Sequence, residues 1–244
     1  MAITQGQGNP DWSEEETILA LDLYLSSGRN AISKHDPRVL QLSELLQRIP
    51  WPEGTTKNDK FRNNEGVSMK VYNLRSVDLG RGLRNTIMDR AVWAKYGNKP
   101  EVAARLAAEI RVEIRDHGLQ LAAEIQLGDD DTPYPEGRIL TAMHKRRERN
   151  PQLRAKMLGS RKKQGLLYCE MCEWGRSFEF PEYLTAALET HHVVPLSAHE
   201  AQETRLADLA LLCSNCHRLI HRAIAVQKRW VGIAECAALL RLVP

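Results

Sequence analysis

The chain has 244 residues, enough for one large domain or two modest ones, and its 43% hydrophobic and 27% charged residues are ordinary for a globular protein. No apolar run approaches the ~20 residues that span a bilayer, and the polar stretch Met1 to Trp12 lacks a signal-peptide core, so no membrane partner is expected and the expected location is the cytoplasm. The net charge of +3 hides an asymmetry: residues 1–136 carry 17 Lys/Arg against 21 Asp/Glu (−4), and residues 137–244 carry 17 against 10 (+7), which points the C-terminal half at a polyanion.

Ser13 and Glu16 fit a capping box ahead of Ile18, Leu19 and Leu23 and predict a helix over 11–25. A second helix is expected from Asp36 to Ile49, with Pro37 at its first position and Leu42, Leu45, Leu46 and Ile49 at helical spacing, stopped by Pro50-Trp51-Pro52. The stretch from Phe61 through Met69, Val71 and Leu74 fits helix and strand alike. Asn85 is expected to cap a short helix ending near Tyr96. The longest helix is expected from about Pro100 to Leu127, carrying Ala103, Leu106, Ile110, Ile114, Leu121 and Ile125. Residues 1–127 therefore read as a mainly helical domain.

Residues 128–137, acidic with two prolines and bounding glycines, read as a hinge. From Arg138 to Lys163 there are ten Lys/Arg and one acid, Glu148. This basic linker, 138–165, is expected to be helical at first and to break at Asn150-Pro151. Its cations, among them Arg146, Arg147, Lys162 and Lys163, are candidates for DNA-backbone contact, because phosphate neutralisation needs positive charge and no special geometry.

Residues 166–244 hold the chemistry. Cys169-Glu-Met-Cys172 and Cys213-Ser-Asn-Cys216 each present thiols from a tight turn, and two such pairs can close a tetrahedral zinc site. A redox reading needs one pair in a thioredoxin-like βαβ setting, which the pattern does not offer. The fifth cysteine, Cys236, lies in an apolar stretch and reads as a small buried hydrophobe. Between and after the pairs come His191-His192, on an extended segment, and His217 and His221, one helical turn apart and so on one face. Alternation along a strand would point His191 and His192 opposite ways, one toward a metal and one toward a substrate phosphate. A zinc closed by four thiolates has no use for four more ligand-type residues, so a second metal site is expected. His35, His117, His144 and His199 read as surface or core histidines, with a phosphate contact open for His144.

Cys169-x-x-Cys172, Glu189-x-His-His-Val-Val-Pro-Leu196 and Asp208-Leu-Ala-Leu-Leu-Cys-Ser-Asn-Cys-His-Arg-Leu-Ile-His221 resemble the HNH endonucleases, the ββα-metal nucleases, and most resemble the McrA-like type with a four-cysteine zinc. Glu136-Gly-Arg138, His144 and Arg147-Glu-Arg149 look like the lead-in to such modules. The resemblance implies an α+β fold, a mainly helical N-terminal domain followed by a ββα-metal HNH module with a structural zinc knuckle. It implies a structural Zn2+ on the four cysteines and a catalytic Mg2+, Mn2+, Co2+ or Ni2+ on His191, His217 and His221, with His192 as the general base. Three neutral ligands would leave the ion's charge available to the phosphate. One position departs from the pattern: the family's middle asparagine falls on Asp208, while Asn215 lies between the zinc cysteines. An aspartate accepts a hydrogen bond from an imidazole but supplies no amide donor.

Asn9-Pro-Asp-Trp12 through Leu25, with Phe61-Arg-Asn63 and Gly66-Val67, looks like a head domain found ahead of HNH modules in modification-dependent restriction proteins. It implies double-stranded, modified DNA as partner, with Lys60 and Arg62 as contacts in the head and Arg218 in the nuclease module. Trp12, Trp51, Phe61, Tyr72 and Trp93 are mostly expected in the core, with one base-stacking aromatic among them. A single HNH site cuts one strand at a time, so double-strand cleavage implies a homodimer or two visits. The alternatives are a zinc-dependent DNA-binding protein without catalysis, which Asp208 favours, and an HNH nickase or nuclease indifferent to modification.

Overall fold

α1 (Glu14–Ser26) begins where the capping box places it: the Ser13 hydroxyl accepts from the Glu16 N–H at 3.3 Å, and the Glu16 carboxylate accepts from the Ser13 N–H at 2.8 Å. In this computed structural model, residues 8–51, 54–82, 85–126, 138–194, 205–227 and 229–240 are described. The expected hinge at 128–137, His199 and the Pro195-Leu196 end of the HNH-like segment lie outside them. The chain divides into two compact units, residues 1–129 with 137–139, and residues 130–136 with 140–244.

In the first unit α1 is buried almost all the way round, and α2 (Pro37–Gln47), α3 (Asn64–Asp78), α4 (Ile87–Tyr96) and α5 (Pro100–Gln126) pack against it. A helix buried on nearly every face, here with Glu14, Glu15 and Glu16 in its first turn also buried, belongs at the centre of a bundle. Asp36 caps α2 through the Arg38 N–H, with Pro37 in the first turn. The ambiguous stretch after Phe61 is a helix because Asn63 caps it through the Gly66 N–H, and Val67, Val71 and Leu74 fall on one buried face. Met69, off that face, is exposed. The cap of α4 is Thr86 rather than Asn85: Thr86 and Asp89 exchange two hydrogen bonds, and Asn85 instead accepts from Arg90 at 2.6 Å. α5 is kinked at His117.

Arg62 is not the surface cation that its sequence context implies. Its side chain is 3% exposed, and its guanidinium pairs with Glu16 at 2.7 and 2.8 Å and donates to the Pro10 and Asp11 carbonyls at 3.0 and 2.9 Å. Trp12 and Phe61 lie against it, with the guanidinium carbon 4.6 and 4.8 Å from their ring centroids. A group so engaged has little left to offer DNA, so Arg62 leaves the contact set; Lys60 is exposed and stays in it. The Lys70–Asp89 pair, 2.6 Å, is likewise buried beside Trp12.

α6 (Arg138–Glu148), in the second unit from Leu140 on, gives way to α7 (Pro151–Lys163) at Asn150, whose side chain accepts from the Gln152 and Leu153 N–H groups. β1 (Leu188–His192) and β2 (Leu209–Cys213) pair antiparallel, Leu188 opposite Cys213 and His192 opposite Leu209, and β2 runs straight into α8 (Ser214–Gln227). This is the expected ββα arrangement, and with the helical first unit it makes the chain α+β. α9 (Ile233–Leu239) packs Cys236 into the core. α7 is no mere linker: Met157 is in that core, and Arg154 ties α7 to β1 through the Leu188 carbonyl at 3.0 Å and the Thr185 carbonyl. Among the described residues no helix is long and apolar enough to cross a membrane.

Candidate metal centre and nuclease site

The two Cys-x-x-Cys pairs meet. Cys169, Cys172, Cys213 and Cys216 place their Sγ atoms within 4.8 Å of one another, none is disulfide-bonded, and Cys172 Sγ lies 4.0 Å from Cys213 Sγ. Sulfurs about 2.3 Å from a tetrahedral zinc would stand ~3.8 Å apart, so the cysteines fit a structural Zn2+. The turn after Cys169 is closed by Cys169 N–H to the Trp174 carbonyl and Glu173 N–H to the Cys169 carbonyl, with Glu173 and Gly175 at positive φ. Burial pushes the Cys172 and Cys216 thiols up, while at Cys169 backbone N–H groups of Cys213, Cys172 and Met171 outweigh the same effect. A cation is what would favour all four as thiolates.

The histidines form a second, separate cluster. β1 ends on His191 and His192, and α8 presents His217 and His221 on one face. At its centre is Glu148, the last residue of α6 and the lone acid of the basic segment 138–163. Its Oε1 lies 3.0 Å from His144 Nε2, 2.9 Å from His191 Nδ1 and 3.8 Å from His192 Nδ1, and its Oε2 lies 3.1 Å from His217 Nε2 and 3.0 Å from His221 Nε2. The His192 backbone N–H donates to Glu148 Oε1 at 3.0 Å, and the Thr190 hydroxyl donates to the Glu148 carbonyl at 2.7 Å. The His191 ring approaches Glu148 Oε1 to 2.9 Å and the His192 ring to 3.8 Å. An oxygen that accepts a main-chain N–H sits in line with the strand, where rings from both faces reach it. His144 is buried in this cluster too, one turn before Glu148, rather than at the surface.

Two further groups set the histidines. Glu189 accepts from Ser214 Oγ at 3.0 Å and contacts His217 Nδ1 at 2.6 Å, an orientation that aims His217 Nε2 at the cluster. Trp230 stacks nearly parallel on His191, 5.9 Å between centroids, and donates from Nε1 to the Val193 carbonyl. Burial takes the His191 imidazole down to about 4, against the pull of Glu148, and lowers His221 as well. His217 goes the other way: burial disfavours its charge, but Glu148 and Glu189 flank it and raise its pKa. Burial would raise the Glu148 carboxyl, yet the surrounding imidazoles hold it far below the usual carboxylate range. Imidazole nitrogens gathered around a carboxylate are the donor set of a divalent cation. His191 Nε2 is buried with no hydrogen-bond partner among the described residues, which also fits a cation.

Asp208 ends a short 3-10 turn (Leu206–Asp208) before β2. Its carboxylate accepts from the Arg205 N–H at 2.8 Å, and its carbonyl accepts from the Val193 N–H at 2.9 Å, next to His192. Asn215 is exposed on α8, away from any such position. Of the remaining cations, Lys162, Lys163 and Arg218 are exposed, and Arg146 and Arg147 are half-buried. Glu148 and His144 were legible only as an i, i+4 pair on a basic helix; the clue was that Glu148 is the lone acid of its segment.

Residues 169–223 match the HNH endonuclease family. The matched segment holds all four clustered cysteines and the histidines of β1 and α8, so the similarity to HNH endonucleases falls on the two candidate metal sites of the C-terminal unit. No curated protein and no solved structure matches the chain significantly.

Proposed function

We propose that the protein is a metal-dependent DNA endonuclease of restriction type that hydrolyses phosphodiester bonds in modified foreign DNA. The observation that carries the nuclease reading is the convergence of His191, His192, His217 and His221, inside the HNH-type segment, on a site separate from a closed set of four cysteines. His191, His217 and His221 hold a divalent ion, Mg2+, Mn2+, Co2+ or Ni2+, and the four cysteines hold Zn2+. When bound, the divalent ion supplies stabilisation of the charge that develops on the phosphate and the leaving 3′-oxygen. His192 accepts the proton of the attacking water. Its ring is fully buried here, so the role requires that substrate uncover it; His217 and His221, 15% and 14% exposed, form the accessible edge. Asp208, by holding Val193 through its carbonyl, fixes the strand end that carries His192. Lys162, Lys163 and Arg218, with Arg146 and Arg147, meet the DNA backbone.

The first unit reads the target. Its resemblance to heads of modification-dependent enzymes supports this, and Lys60 with the half-exposed Tyr72 are its candidate contacts. A homodimer would turn two nicks into a double-strand break. The competing reading is a zinc-dependent DNA-binding protein without catalysis, which the aspartate at position 208 favours. Cleavage of unmodified, cytosine-methylated, hydroxymethylated and phosphorothioated plasmid by wild type and His192→Ala separates these. Wild-type cleavage confined to one modified substrate supports the full reading. Equal cleavage of all four retains the nuclease and removes modification dependence. DNA binding without cleavage under every metal favours the competitor.

A further inference from the structure

We propose that Glu148, together with His144 one turn before it on α6, ligates the catalytic ion, so that the metal centre draws an anionic ligand from a helix outside the HNH-matched segment. The inference rests on the endonuclease reading and deepens it.

Glu148, which lies outside the matched segment, approaches all five histidines of the cluster at 2.9 to 3.8 Å. One ligand atom each from His144, Glu148, His191 and His221 lies within 4.8 Å of every other. Donors ~2.1 Å from a common ion stand ~3.0–3.4 Å apart in octahedral or tetrahedral arrangements. The contacts of Glu148 with His144, His191, His217 and His221, 2.9 to 3.1 Å, fall at or just below the close end of that range. His217 Nε2 and His221 Nε2 also stand 3.0 Å apart and share Glu148 Oε2. Three such atoms facing one another need either protons or a cation among them. The carboxylate itself is 2% exposed, and a buried charge of this kind is retained where it is paired or ligates a metal.

The consequence is chemical. Histidines alone would leave a divalent ion its full charge and favour nitrogen-loving metals. A carboxylate oxygen lowers the net charge to +1 and suits harder ions such as Mn2+ and Mg2+. α6 therefore does more than lead into the module: Thr190 and the His192 N–H clamp its last residue so that the carboxylate is delivered at the mouth of the β1 histidines.

The test is Mn2+ binding by the full-length, zinc-loaded protein, followed by calorimetry and by the electron paramagnetic resonance signal of free Mn2+. Manganese, a hard ion, leaves the thiolate site to zinc. Wild type is expected to bind one Mn2+, and His221→Ala to lose it. Glu148→Gln is expected to weaken Mn2+ binding by more than ~100-fold, beyond the 10- to 100-fold that loss of an outer partner costs. Glu148→Asp, which keeps the charge and shortens the arm, serves as second variant should the glutamine fail to fold, and is held to the same threshold; zinc content and circular dichroism verify the fold. A smaller loss in a folded variant, with His221→Ala still abolishing binding, overturns the ligand role and leaves the endonuclease reading intact. Absence of Mn2+ binding in wild type, or equal binding by His221→Ala, overturns both.

Discussion

Arg62→Ala should unfold much of the first unit. The guanidinium makes two short contacts with the Glu16 carboxylate, side chains 3% and 0% exposed, and two more with backbone carbonyls. Removing it leaves the Glu16 carboxylate buried without its cation, with the Ser13 N–H still donating to it. Breaking a buried pair by deleting one partner costs ~3–5 kcal/mol. The lost stacking on Trp12 and Phe61 adds ~1 kcal/mol or more, and alanine at a φ of 47° keeps the backbone strain. The sum, ~4–6 kcal/mol, is a large share of the ~5–15 kcal/mol that holds a typical domain together. Replacing both partners in Glu16→Gln/Arg62→Met should cost far less, ~2 kcal/mol, because no charge is left buried and glutamine still serves the capping box. Hydrogen exchange by mass spectrometry on the full chain reads this directly, as faster exchange of α1 amides while β1 and β2 stay protected. An Arg62→Ala loss below ~1.5 kcal/mol, or a double variant as unstable as the single one, would refute the buried-pair argument.

Three further outcomes follow from particular contacts. Cys213→Ser should abolish bound zinc and the cooperative unfolding of the second unit, since zinc binding to such sites is worth ~10–16 kcal/mol; metal analysis of wild type should give one zinc per chain, and zinc-free wild type with the same melt would contradict the structural role. Tyr24 donates to Asp78 Oδ2 at 2.8 Å, and burial with that contact raises its phenol to about 12. A raised acid contributes stability that is complete below pH 10 and is lost as pH climbs from 10 toward 12; ultraviolet titration should show one late phenol that Tyr24→Phe removes. Gly175→Ala should destabilise the zinc turn by ~2 kcal/mol or more, because φ is +94° and an added Cβ would meet the Leu184 side chain at 2.7 Å; an unchanged melting temperature would argue against that packing.

The Ser13 capping box, the helix start at Asp36-Pro37, the break at Asn150-Pro151 and the two cysteine pairs were legible in the sequence because each is a local signal: a cap bonds within three residues and a metal knuckle within four. α3 was ambiguous because apolar residues alone do not separate the two periodicities over so short a run, and Asn63 as its cap decided it. The fate of Arg62 was hidden because its partner, Glu16, lies 46 residues away, and nothing local marks an arginine as buried. Glu148 and His144 were hidden for the same reason. Their partners lie on β1 and α8, 42 to 73 residues on from Glu148, so a helix read by its positive charge concealed its one carboxylate.

The most direct test of the account is cleavage of supercoiled plasmid by the zinc-loaded protein, wild type beside His221→Ala, with Mn2+ added and then chelated at a level that leaves the cysteine zinc in place. Methylated and unmodified plasmids would both be used. The account predicts nicked or linear product from wild type only while Mn2+ is present, and none from His221→Ala although it keeps its zinc and its DNA binding. Product that persists without added metal, or that His221→Ala makes equally well, would contradict the histidine cluster as the nuclease centre.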